Sequence, residues 1–236
     1  YVTFRQVNGA VGEIVIYNLA WEMQRHWAVP LRGRLDIVVG DVIGDDSVEI
    51  VLSPAYAEAQ LFRIFSMDGK QVEQQSVSIG KHSGVSLGLA SASGQGQELL
   101  LVYRHNNLTR LSHLSRDLTE VRSVPLAFIS QTGAVAAGDI DGDKVEEYVV
   151  GAGADDAPWL AYISRQGTIL RQFTAYDGGY RGGFEIAVGD YDKDGQDNVI
   201  VAPRRGGEQV RVWDRRSRKI AQWEMPGTDL RVLTVR

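Results

Sequence analysis

Two short stretches of the chain place carboxylates at every second position. One runs Gly138-Asp139-Ile140-Asp141-Gly142-Asp143-Lys144-Val145-Glu146-Glu147, the other Gly189-Asp190-Tyr191-Asp192-Lys193-Asp194-Gly195-Gln196-Asp197-Asn198. In a tight loop alternating side chains lean to one side, so Asp139, Asp141 and Asp143 converge, and Asp190, Asp192 and Asp194 likewise. Without a cation their mutual repulsion opens the turn. Glu147 and Asn198 offer a further oxygen four residues later, and backbone carbonyls near Val145 and Gln196, with water, complete a shell for a hard divalent ion. Ca²⁺ suits such a site better than Mg²⁺, because it accepts six to eight oxygens at flexible geometry. Zn²⁺ would call for His or Cys, which neither loop contains. An EF-hand is excluded, since Val150 and Val201 stand where its twelfth-position Glu belongs and strand-like sequence flanks both loops.

The two loops sit at matching places in an internal repeat. Gly40, Gly88, Gly138 and Gly189 are spaced 48, 50 and 51 residues apart, each after a short Val/Ile/Leu run. A third loop keeps Asp41, Asp45 and Glu49 but has Ile43 in place of an acid, which makes it a possible degenerate metal site. The fourth, after Gly88, has Leu89, Ser91 and Ser93 and is expected to bind nothing. Asp and Gly are also common in turns for purely local reasons, so solvated acidic loops are the alternative reading. Two acidic loops in register weigh against it.

Each repeat reads as strand, acidic loop, strand, turn, strand, turn, strand. Third strands are expected over Leu61–Phe65, Leu160–Ile163 and Val210–Trp213, and fourth strands over Gln71–Glu73, Ile169–Phe173 and Ile220–Trp223. Four antiparallel strands per period of about fifty residues describe a β-propeller blade, whose two faces are buried only by neighbouring blades. The repeats are expected at 34–81, 82–131, 132–180 and 181–228. The remaining segments, 229–236 and 1–33, read as one first strand and three further strands. Together they would complete a shared fifth blade, closing a single propeller domain over 1–236 and hiding its edge strands. A slice of a larger propeller or of a longer array is the competing reading.

The Gly-Asp-x-Asp-x-Asp loop between two Val/Ile strands resembles the FG-GAP/VCBS repeat, the blade unit of integrin α-subunit propellers and of many bacterial surface proteins. Phe173-Thr174-Ala175-Tyr176, Arg181-Gly182-Gly183, Val188-Gly189-Asp190, Ala202-Pro203, Gly206-Gly207 and Val210-Arg211-Val212 are similar to bacterial members. The resemblance is strong over 132–225 and weaker over 1–34 and 82–128. It implies calcium in the acidic loops, a propeller fold, and an extracellular or cell-surface setting. Lys144 departs from it where the family prefers Gly, so that turn is expected to be strained.

Composition narrows the function classes. Lys plus Arg number 25 and Asp plus Glu 30, a net charge of −5, which argues against nucleic-acid binding. No apolar run reaches the length of a membrane span. The chain has no cysteine, which removes disulfides, thiolate metal sites and a cysteine nucleophile. Tyr1-Val2-Thr3-Phe4 reads as a strand already under way, so a trimmed or processed piece is expected.

His26, His82, His105 and His113 form no metal-spaced pair, and no Gly-x-Ser-x-Gly elbow is present. Trp21, Trp27, Trp159, Trp213 and Trp223 suit packing between blades, with stacking on a sugar as the alternative. The basic turns Arg204-Arg205 and Arg215-Arg216-Ser217-Arg218-Lys219 read as solvated hairpins, with an anionic ligand as the alternative. The leading expectation is a non-catalytic binding or adhesion module that recognises a protein or a glycan. Two alternatives stand beside it: a five-bladed glycosidase using channel acids such as Asp36, Glu185 or Asp229, and a structural spacer or assembly subunit.

Overall fold

A computed structural model describes residues 2–7, 11–29, 35–54, 62–73, 82–92 and 96–225. The described residues form strands and turns without a helix. The strands are β1 (Val2–Val7), β2 (Val11–Tyr17), β3 (Met23–Val29), β4 (Leu35–Gly40), β5 (Glu49–Pro54), β6 (Arg63–Ser66), β7 (Gln71–Glu73), β8 (His82–Ser91), β9 (Gln97–His105) and β10 (Leu108–Leu114). They continue as β11 (Glu120–Pro125), β12 (Ala134–Gly138), β13 (Glu147–Gly151), β14 (Trp159–Ile163), β15 (Ile169–Thr174), β16 (Phe184–Gly189), β17 (Asn198–Pro203), β18 (Gln209–Trp213) and β19 (Lys219–Glu224). Consecutive strands pair antiparallel in five separate open sheets: β1–β3, β4–β7, β8–β11, β12–β15 and β16–β19. Each four-stranded sheet lies inside one of the expected repeats. Residues 229–236, the expected completion of the three-stranded sheet, and the acid Asp229 among them, lie outside the described residues.

The last hairpin of every sheet is built alike. In the turns opening on Asn18, Ser66, Ser115, Ser164 and Asp214, the first N–H donates to the fifth carbonyl and the fourth N–H donates back to the first carbonyl. The fourth residue is left-handed each time: Trp21, Gly69, Leu118, Gly167 and Ser217 have φ of 61°, 87°, 59°, 87° and 60°. A register shift falls beside each turn. This is a type I turn with a bulge, and the bulge increases the local twist.

Burial follows the order of strands within a sheet. The second strands are sealed on both faces: Val149, Val150, Val199, Val201, Leu100, Leu101, Ile50, Val51 and Leu52 are all fully buried. The last strands β15 and β19 are mostly exposed. A sheet sealed on both faces at its centre needs a neighbour on each side, and the apolar clusters join each sheet to the next in chain order. One joins β1–β3 to β4–β7, a second joins β4–β7 to β8–β11, and the largest runs through the last three sheets. First strands of successive sheets also meet, β4 with β8, β8 with β12 and β12 with β16.

Candidate metal centre

The acidic loops join the first and second strands of their sheets, and the register fixes their length. Gly138 pairs with Glu147, Gly189 with Asn198 and Gly40 with Glu49, so each loop spans the same interval. Two residues in each adopt positive φ: Gly44 and Asp46, Gly142 and Lys144, Lys193 and Gly195. Only one of each pair is glycine. Lys144, at 69°, carries the strain the sequence led us to expect, and Asp46 and Lys193 carry it in the other loops.

Carboxylates hold the backbone of these loops. Asp139 accepts the N–H groups of Gly142 at 2.7 Å and Lys144 at 3.0 Å. Asp190 does the same for Asp194 and Gly195, both at 3.1 Å. Asp143 accepts from Val145 at 2.7 Å and Asp194 from Gln196 at 2.9 Å. Val145 and Gln196, whose carbonyls were expected as ligands, are thus held through their own N–H groups.

Two groups of carboxylate oxygens converge within 4.8 Å. One comprises Asp139, Asp141 and Glu147, the other Asp190, Asp192 and Asp194. Asp143 stands outside the first group. Asp41, Asp45 and Glu49 do not converge in this way: Asp41 accepts Gly44 N–H at 2.6 Å and Asp45 accepts Ser47 N–H at 2.9 Å.

The last position of each loop holds the backbone of that loop. Glu147 Oε2 accepts the Ile140 N–H at 3.0 Å, and Glu49 Oε2 accepts those of Val42 at 3.0 Å and Ile43 at 3.3 Å. A carboxylate then has a second oxygen to offer, and one carboxylate oxygen of Glu147 joins the acidic group. Asn198 Oδ1 takes the Tyr191 and Asp192 N–H groups at 2.8 and 3.3 Å. An amide has no second oxygen, and its remaining atom is an NH₂ donor. Asn198 Oδ1 is thus engaged by two backbone N–H groups, whereas a carboxylate at this position would keep a second oxygen over.

Electrostatics separates the two groups as well. Glu147 is buried, and burial, helped by the Asp141 charge, pushes its carboxyl up to about 7 against the pull of the Ile140 and Asp141 N–H groups. Burial likewise raises Glu49. Asp190, Asp192 and Asp194 are exposed. A cation at Glu147 would relieve a real penalty; at the second group it would offset only repulsion between solvated charges.

Two acids that the sequence did not single out tie the loops to their neighbours. Asp197 donates its N–H to Asp139 O at 2.8 Å and accepts the Asp139 N–H at 3.0 Å. Glu146 accepts Ser91 N–H at 2.6 Å and Oγ–H at 2.7 Å. Both directly precede the loop's last position, and that shared register is the signal that would have found them.

Other expected residues are occupied structurally. Glu185 binds Arg204 through two contacts of 2.6 and 3.2 Å, so Arg204 belongs to an inward-facing ion pair and not to a solvated turn. Asp36 accepts the Leu87 N–H at 2.8 Å from the next sheet. His113 is buried between Glu98 at 2.7 Å and Tyr148 at 2.8 Å. Trp213 packs at a tilt against Phe173, whereas the partly exposed Trp223 stacks on Tyr191.

No family model matches the chain, and no curated protein matches it. Solved structures do. A protein of unknown function from Bacteroides caccae aligns with a TM-score of 0.60 at 14% identity, over 92% of this chain and 72% of that one. The Dos1 propeller aligns with a TM-score of 0.56 at 9% identity, over 96% of this chain and 58% of its own length. The fold is all-β and β-propeller-like.

Proposed function

We propose that the chain is a calcium-stabilised binding module of the FG-GAP/VCBS type, built as a five-bladed β-propeller whose fifth blade combines β1–β3 with residues 229–236. It acts in a secreted or cell-surface protein and recognises a protein or a glycan. One observation carries the calcium reading: carboxylate oxygens gather at the same bend of two successive repeats, on loops that share the Lys144 or Gly195 N–H bond to the first aspartate and the Val145 or Gln196 N–H bond to the third. Asp139, Asp141 and Glu147 would hold one ion, and Asp190, Asp192 and Asp194 a second. The ion supplies positive charge and the loop supplies hard oxygens, which fits calcium. The binding and adhesion role rests on the family resemblance. The glycosidase alternative gains little from Glu185, whose two oxygens are both engaged by the Arg204 guanidinium.

Calcium titration followed by thermal melting tests this reading. At a dissociation constant of about 0.1 mM and about 1 mM calcium, each site adds roughly 1.4 kcal/mol. That corresponds to about 3–6 °C in Tm per site for a chain of this size. Excess chelator should reverse the gain, and a Tm indifferent to both calcium and chelator would count against the proposal. A glycan array run in calcium then separates glycan from protein ligands.

A further inference from the structure

The outer hairpin turns place one residue at a constant position, directly after Asn18, Ser66, Ser115, Ser164 and Asp214. It is Leu19, Met67, Arg116, Arg165 and Arg215. Two of the three arginines reach across to the loop of the preceding sheet. Arg116 Nη2 donates to Gly44 O at 2.8 Å, inside loop 41–49. It lies so close over that glycine that a Cβ there would fall 1.5 Å from Nη2. Arg165 donates Nη1 to Glu98 Oε2 at 3.2 Å and Nη2 to the Ser91 carbonyl, and Nη2 lies 3.6 Å from Glu146 Oε2. Its side chain is only 23% exposed, and the two carboxylates 14% and 10%.

The pattern is selective. Loop 41–49 has Ile43 where an acid is missing, and the loop after Gly88 has lost its acids altogether. These are the loops the bonded arginines enter. Loop 139–147 keeps its acids, and the corresponding Arg215 stays exposed, with no hydrogen bond or ion pair from its side chain among the described residues. A guanidinium is always charged and presents its donors in a rigid fork, so it can join a carbonyl and carboxylates from two sheets at once.

We propose that Arg116 and Arg165 are resident cations, taking the metal's part at loop 41–49 and between Ser91, Glu98 and Glu146, so that these junctions hold without calcium. Arg116 also keeps calcium out of loop 41–49. The proposal rests on the calcium reading of the other two loops.

Calorimetric titration of the whole chain with calcium chloride tests it. The unmodified chain should take up two ions, one per carboxylate group. Ile43→Asp, which restores the missing acid, should still take up two, and Ile43→Asp with Arg116→Ala three. In excess chelator, Arg165→Gln should melt about 4–10 °C below the unmodified chain. Arg165→Lys should recover part of that loss, and Arg215→Ala should stay within about 2 °C. A third ion in Ile43→Asp alone, no third ion in the double variant, or an Arg165→Gln variant that melts with the unmodified chain would overturn the proposal. An unmodified chain that takes up no calcium would sink the calcium reading instead, and the chelator melts would still judge the arginines.

Discussion

Glu147→Gln is expected to fold as well as the unmodified chain in chelator, yet to lose the calcium response of loop 139–147. The amide oxygen can still accept the Ile140 N–H, as Asn198 Oδ1 does for Tyr191 and Asp192 in the next repeat. It cannot supply a second, charged oxygen to Asp139 and Asp141. Removing the buried carboxyl also removes the desolvation penalty that raises Glu147. Calcium affinity at that loop should fall at least about tenfold, equivalent to about 1.4 kcal/mol. Asn198→Asp should do the reverse, keeping the backbone bonds and adding an oxygen beside Asp190, Asp192 and Asp194. Titration calorimetry on the two variants reads both changes. Equal affinities in both would mean that the last loop position is scaffold in both repeats.

Phe184→Ala is expected to give the largest loss of stability. Phe184 opens β16 and is fully buried in the cluster that joins the last three sheets. It lies near Tyr176, with ring centroids 5.8 Å apart. It also fills the space left by Gly151 on β13, where a Cβ would fall 2.3 Å from its Cε2. Deleting the ring leaves a cavity between two sheets whose backbones are fixed by their own ladders, so collapse is limited. The cost should be about 3–5 kcal/mol. Chemical denaturation should show a lower midpoint at unchanged slope, the signature of a stability change in an otherwise similar fold. A change under about 1 kcal/mol would mean the sheets do not pack as described.

The architecture was legible where local signals repeated. Runs such as Val149-Val150 and Val199-Ile200-Val201, set between Gly-Asp loops and Gly turns, mark second strands, and their burial on both faces matches their lack of alternation. The second repeat was harder to read. Its β8 runs on through Ser91, so Gly88 pairs with Leu100, beyond the interval that links Gly138 to Glu147. With the acids gone, no ligand constraint fixes that loop's length. In the acidic loops, spacing marked the aspartates and set Asn198 at the place of an acid. The difference lies in which atom faces the backbone, and no spacing encodes it. Arg116 and Arg165 were hidden for a related reason: a charged residue in a hairpin turn looks solvated until the neighbouring sheet is in place.

Calcium in both acidic groups can be seen directly. Crystals of the protein grown with calcium should show, in anomalous difference maps, one peak about 2.3–2.6 Å from the oxygens of Asp139, Asp141 and Glu147. A second peak should lie at the same range from Asp190, Asp192 and Asp194. Ordered water or nothing at all between those carboxylates, in crystals soaked at millimolar calcium, would contradict it.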